Sequence, residues 1–221
     1  MIRLTFRDVA IVLCIWMLSD LSTVHAQDRY FVLIFGSQSR LNRPSRSHTW
    51  ATIVKASADG TRLEQLTISW LPQAEKVRIL TLRGEPGINL DLHTTISRYQ
   101  QLNGSVSLWG PYETAANRGP VLFERAASQI ERLNSGTILY KAIDPNLGPR
   151  KPYLVDCIHA ITDLDQDQSR NAYSELLRFG DRASEYIVRE LDKRGRIQRQ
   201  HREDWVMDAL GLRKYSITVR Q

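Results

Sequence analysis

The run Ala58-Asp59-Gly60-Thr61 constrains the fold of this chain more than any other feature. Asp-Gly favours a tight turn, because both positions tolerate positive φ. It stands between His48–Ala56 (HTWATIVKA) and residues 63–70 (LEQLTISW), two stretches rich in β-branched and aromatic residues. Together they predict a hairpin closed by a two-residue turn. With Ala58 facing Thr61, Trp50 falls opposite Ser69 and His48 opposite Leu71. Alternation then gives one face to His48, Trp50, Thr52, Thr67, Ser69 and Leu71, and the other to Thr49, Ala51, Ile53, Ile68 and Trp70. Both faces are fairly apolar, so the hairpin is expected inside a covered sheet.

Other segments follow from periodicity and breakers. Residues 30–35 (YFVLIF) read as a buried strand and 36–46 as a polar loop. A short strand is expected at 77–82, ended by Gly84-Glu85-Pro86-Gly87, and a helix at 90–102. Residues 106–109 read as a strand closed by Gly110-Pro111. Pro120 opens a helix at 121–133, with Leu122, Ala126, Ile130 and Leu133 as its apolar stripe and Gly136 past its end. A strand at 138–143 leads into a loop holding Pro145, Gly148, Pro149 and Pro152. Helices at 157–163, 169–179, 181–194 and 203–210 precede a last strand at 215–219. The pattern predicts an α+β fold with a mainly antiparallel sheet and packed helices. No linker divides residues 27–221, so they form a single domain whose stretch 163–212 is a helical extension.

Residues 1–26 have the parts of a secretory signal: Arg3 and Arg7, an apolar run at 9–18, and Val24-His25-Ala26 as a cleavage site. The run is too short to span a bilayer, and no transmembrane span is expected after cleavage. The expectation is a periplasmic or secreted protein. Arg3 and Arg7 balance Asp8 and Asp20, so the mature chain keeps the net charge of +6. That charge suits an anionic cell envelope. Its basic residues are dispersed, apart from Arg40, Arg43 and Arg46, and do not alternate with aromatics, which points away from nucleic acid.

Of the two cysteines, Cys14 leaves with the signal. Cys157 then has no intramolecular disulfide partner, and in an oxidising compartment it is either buried and inert or chemically used. In YLVDCIHA (residues 153–160) an apolar approach and a capping acid place Cys157 at a helix start, where the dipole favours thiolate. Asp156 opposes this unless its carboxylate is occupied in capping. A thiol nucleophile needs a general base. His159 is two residues away, about 200° around a helix, so it does not face the sulfur. His48 opens a strand directly after a polar loop, and Ser69 or Thr67 on its face would orient it. His93 and His201 are weaker candidates.

The order His on a strand, a second strand, then Cys heading a helix resembles the circularly permuted papain-like hydrolases, the NlpC-related group that includes YiiX-like proteins and lecithin retinol acyltransferase. Asp156-Cys157-Ile158-His159 partly echoes the Asn-Cys-Glu-His string of the acyltransferase branch. The resemblance covers residues 48–162. It implies Cys157 as nucleophile, His48 as base, and a third polar residue for which Ser69, Thr67 and Glu64 are available. It implies an exported amide or ester hydrolase or acyltransferase, acting on cell-wall peptide or lipid acyl substrates without a cofactor.

The competing expectation is a non-catalytic cell-envelope binding module of the same fold, with Cys157 buried and His48 structural. Histidines are scattered and no Cys/His cluster has metal-ligand spacing. Asp163, Asp165 and Asp167 alternate like a calcium loop but lack its glycine and glutamate, so a solvated interhelical loop is the better account.

Overall fold

A computed structural model of the chain describes residues 27–41, 43–74, 76–79, 81, 83–115, 117–142, 153–165 and 178–220. The signal segment, the proline loop and residues 169–177 of an expected helix lie outside them. The described elements begin with β1 (Arg29–Ser37), β2 (His48–Ala56), β3 (Leu63–Ile68), β4 (Trp70–Pro72) and β5 (Glu85–Asn89). Helix α1 (Leu92–Asn103), β6 (Val106–Thr114), α2 (Gly119–Asn134), β7 (Leu139–Tyr140), β8 (Leu154–Val155) and α3 (Cys157–Thr162) follow. The C-terminal part holds α4 (Asp181–Lys193), β9 (Ile197–Arg202), α5 (Asp204–Ala209) and β10 (Ile217–Arg220). The fold is α+β.

The main sheet runs β10-β6-β1-β2-β3. Its β2–β3 hairpin has the register the sequence predicts, with Ala51 opposite Ile68 and Thr52 opposite Thr67. The turn is wider than two residues. Ser57 N donates to Arg62 O at 2.9 Å, and Gly60 N donates to Ser57 O at 2.8 Å. The Asp59 carboxylate accepts from Thr61 N (3.1 Å), so a side chain braces the loop beyond the Ser57–Gly60 backbone turn.

Three segments depart from the sequence reading. Residues 77–79 are not a strand; the strand is β5, placed on the expected break. Gly87 is tolerated there because the Trp70 indole lies where a Cβ would be, and the Pro86 carbonyl accepts from Gln73 N at 2.8 Å. Strand β6 continues through Gly110-Pro111 to Thr114. Gly110 has φ +99°, and a Cβ there would stand 2.6 Å from Val32 O, so only glycine carries the strand past that point. The stretch 163–212 is not wholly helical either. It contributes β9, an edge strand on β6 whose polar residues carry no alternation signal.

Helices cover both faces. On one, Val32, Ile34, Ala51, Ile53 and Ile68 pack with Ala126, Leu133, Ile158, Ile161 and Ile187 from α2, α3 and α4. On the other, Phe31, Leu33, Phe35, Trp50 and Val54 pack with Leu92, Ile96 and Tyr99 of α1 and Val206 and Met207 of α5. Each such buried side chain contributes ~1.5–3 kcal/mol.

A second small sheet, β4-β5-β7-β8, extends the hairpin sideways. Asn89 stitches the two sheets, accepting from Ser69 N (2.8 Å) and donating to Thr67 O (2.9 Å).

Candidate functional site

Strand β8 delivers the chain to α3. Trp70 Nε1–H donates to Val155 O at 3.1 Å, which ties the hairpin exit to the residue before the helix cap. Asp156 is that cap: its Oδ1 accepts the N–H groups of Ile158 (2.8 Å) and His159 (2.7 Å), and its Oδ2 meets His159 Nδ1 at 3.0 Å. The carboxylate is thus occupied by three donors, which blunts its opposition to a thiolate beside it. Cys157 is the first residue of α3. It is half-buried, whereas Asp156 and His159 are buried. His159 turns back onto its own cap through Nδ1.

His48 opens β2 and is 1 % exposed. Its ring is stacked on Trp50 (5.3 Å between centroids) and Tyr99 (5.0 Å). Nε2 meets Ser69 Oγ at 3.0 Å, as the hairpin register predicts. Ser69 Oγ also meets Thr95 Oγ1 (2.9 Å), and Thr95 Oγ1 reaches the Asp91 carbonyl (2.7 Å).

The Ser69 hydroxyl can donate to Nε2 or accept from it, so two arrangements are open. In the first, Ser69 donates to Nε2, and the imidazole N–H sits on Nδ1, which is buried and has no partner among the described residues. In the second, Ser69 Oγ accepts from both Thr95 and Nε2–H, and Nδ1 carries the lone pair. Burial, and to a lesser degree the charge of Arg98, lower the His48 pKa from 6.5 to about 3, so the ring is neutral at ordinary pH.

The structure brings His48 and Ser69 together but does not join His48 to Cys157 by a hydrogen bond. The imidazole stacks within the layer of α1, and Cys157 packs against the cluster on the other face of the sheet. What the two share is Tyr99. Its ring stacks on His48, and its phenol pKa is raised by burial and then by the charge of Cys157. Tyr140 is raised by the same two causes.

The other candidates lie elsewhere. Thr67 Oγ1 bonds Thr52 Oγ1 across the hairpin (3.0 Å), and Glu64 pairs with Lys55 (3.4 Å). His93 Nδ1 meets the Tyr215 hydroxyl (3.1 Å), and His201 is exposed. Thr95 and Tyr99 were missed from sequence. Their spacing of one helical turn on α1 was visible, but nothing local says which strand that face covers.

An apolar cavity starts one turn along α3 from the sulfur. Ile161 lines it, with Ile34, Ile53, Leu122, Ile187 and Leu191, and Arg118, Arg125 and Arg196 stand in its wall. Its enclosed space is about 60 Å³. Residues at i and i+4 share a helix face, so Cys157 and Ile161 look the same way. Asp163 and Asp165 are engaged by arginines, Arg132 at 3.6 Å and Arg196 at 2.9 Å, and Asp167 lies outside the described residues. Among the described residues no three His, Cys, Asp or Glu gather where they could hold a metal ion, and no helix is long and apolar enough to cross a membrane. The chain matches no protein-family model, no curated protein and no solved structure.

Proposed function

We propose that the protein is an exported cysteine-dependent hydrolase or acyltransferase of the cell envelope, with the permuted papain-like arrangement and an acyl ester or amide as substrate. One observation carries the reading. His48 is anchored through Nε2 on Ser69 with Nδ1 bare, and Cys157 heads a helix whose Asp156 cap is occupied. Base, orienting hydroxyl and helix-start thiol are the parts the reaction needs, although base and thiol pack on opposite faces of the sheet.

In this reading Nδ1 takes the Cys157 proton, and the sulfur attacks the carbonyl carbon to form a C–S bond. The Cys157 N–H, which Asp156 does not cap, donates to the developing oxyanion. The proton passes to the leaving nitrogen or oxygen as its bond to carbon breaks. Water or an acceptor hydroxyl then cleaves the thioester and restores the thiol. The transfer needs sulfur and Nδ1 within hydrogen-bond reach, and the two pack on opposite faces of the sheet in this structure.

The test is alkylation of Cys157 by iodoacetamide against pH, in the native protein and in His48→Ala. A nucleophile alkylates with an apparent pKa well below ~8.5, and the substitution raises it. Alkylation only after unfolding removes the enzyme reading.

The second reading is a non-catalytic envelope-binding module. The burial of His48 and its pKa of about 3 favour it, because so weak a base takes a thiol proton at high cost. In that case Cys157→Ser leaves every measurable property of the protein intact.

A further inference from the structure

The outer edge of β6 is shared by two strands that approach each other end on. β10 runs parallel to it and ends with Arg220 beside Trp109; β9 runs antiparallel and ends with Arg202 beside Tyr112. The bend at Gly110-Pro111 separates the two pairings. The last residues of both strands therefore converge on one groove, lined by Tyr112, Arg199, Gln200, Arg202 and Arg220.

No acidic side chain is among these lining residues. Arg202 is held by Asp204, with Nη2 at 3.1 Å from Oδ2, and Arg220 leans loosely on Asp181 at 3.8 Å. Arg199 is half-buried and makes no ion pair or hydrogen bond with the described residues. A partly exposed guanidinium without a counter-charge is solvated by water alone, which an anion can displace, and its fork of N–H donors matches tetrahedral oxyanions. Tyr112 is 2 % exposed, so the groove offers no aromatic platform for stacking bases.

We propose that this groove binds sulfate or phosphate ester groups of an anionic glycan, independently of Cys157. Arg199 and Arg220 make the direct contacts, and Arg202, fixed by Asp204, adds field.

The experiment is fluorescence anisotropy of labelled dextran sulfate with the full chain at ~150 mM NaCl, where contacts beyond about 8 Å are screened. Arg199→Gln and Arg220→Gln each weaken binding about tenfold. Arg213→Gln, outside the groove and paired with Asp208, changes it less than twofold, and Cys157→Ser leaves it unaltered. Circular dichroism melts that match the parent separate these effects from unfolding. Equal weakening by all three arginine variants reduces the effect to net charge and overturns the proposal, as does no weakening by any. Inorganic sulfate that binds as tightly as the polymer assigns a free anion instead, and oligothymidylate that binds tighter assigns nucleic acid. Either result overturns the glycan.

Discussion

The Nε2 atom of His48 lies 3.0 Å from the Ser69 hydroxyl, and that contact anchors the buried imidazole at the start of β2. Ser69→Ala leaves a buried ring nitrogen without its hydrogen-bond partner, at ~1–3 kcal/mol. It also frees the ring. Urea unfolding should show the loss of stability, and ester hydrolysis should fall along with it. A variant of unchanged stability would place the acceptor elsewhere.

His48 also sets a pH dependence. Its pKa is about 3 when folded and 6.5 when unfolded. Between these values the unfolded chain binds a proton that the folded chain does not. Stability therefore rises with pH across that window and is lost as pH falls from 6.5 towards 3, by on the order of 4 kcal/mol. His48→Gln removes this share of the slope while the carboxylates keep theirs. Parallel stability curves for parent and variant between pH 4 and 7 would show that the ring is not sealed.

Asp156 serves three donors at once. Asp156→Ala removes the cap of α3 and strands buried N–H groups, costing ~2–4 kcal/mol from the cap and the lost acceptors together. Asp156→Asn keeps an acceptor oxygen and costs less. Because the substitution also removes a negative charge beside Cys157, the thiol of the Asn variant should alkylate at lower pH than the parent. An unchanged alkylation profile would mean that the carboxylate does not act on the sulfur.

How much of this was legible differs by element. The hairpin register and the meeting of His48 with Ser69 follow from Asp59-Gly60 and strand alternation, which act over a few residues. The helix-capping role of Asp156 is equally local. Strand β5 was hidden because Gly87 and Pro86 read as breakers. Gly87 fits because the Trp70 ring, 17 positions away, occupies the space where a Cβ would stand. Strand β9 was hidden because an edge strand bearing arginines, glutamine and histidine has no buried face to impose a period.

The sequence by itself determined the α+β class, the first hairpin with its two faces, and the placement of Cys157 at the head of a helix, because turns, alternation and caps are short-range. Only the tertiary structure decided that Tyr99 and Thr95 close over His48, that α3 packs on the opposite face of the sheet, and that Arg202 and Arg220 end side by side. Those outcomes depend on which apolar face covers which strand, and that is settled by the shared burial of distant segments.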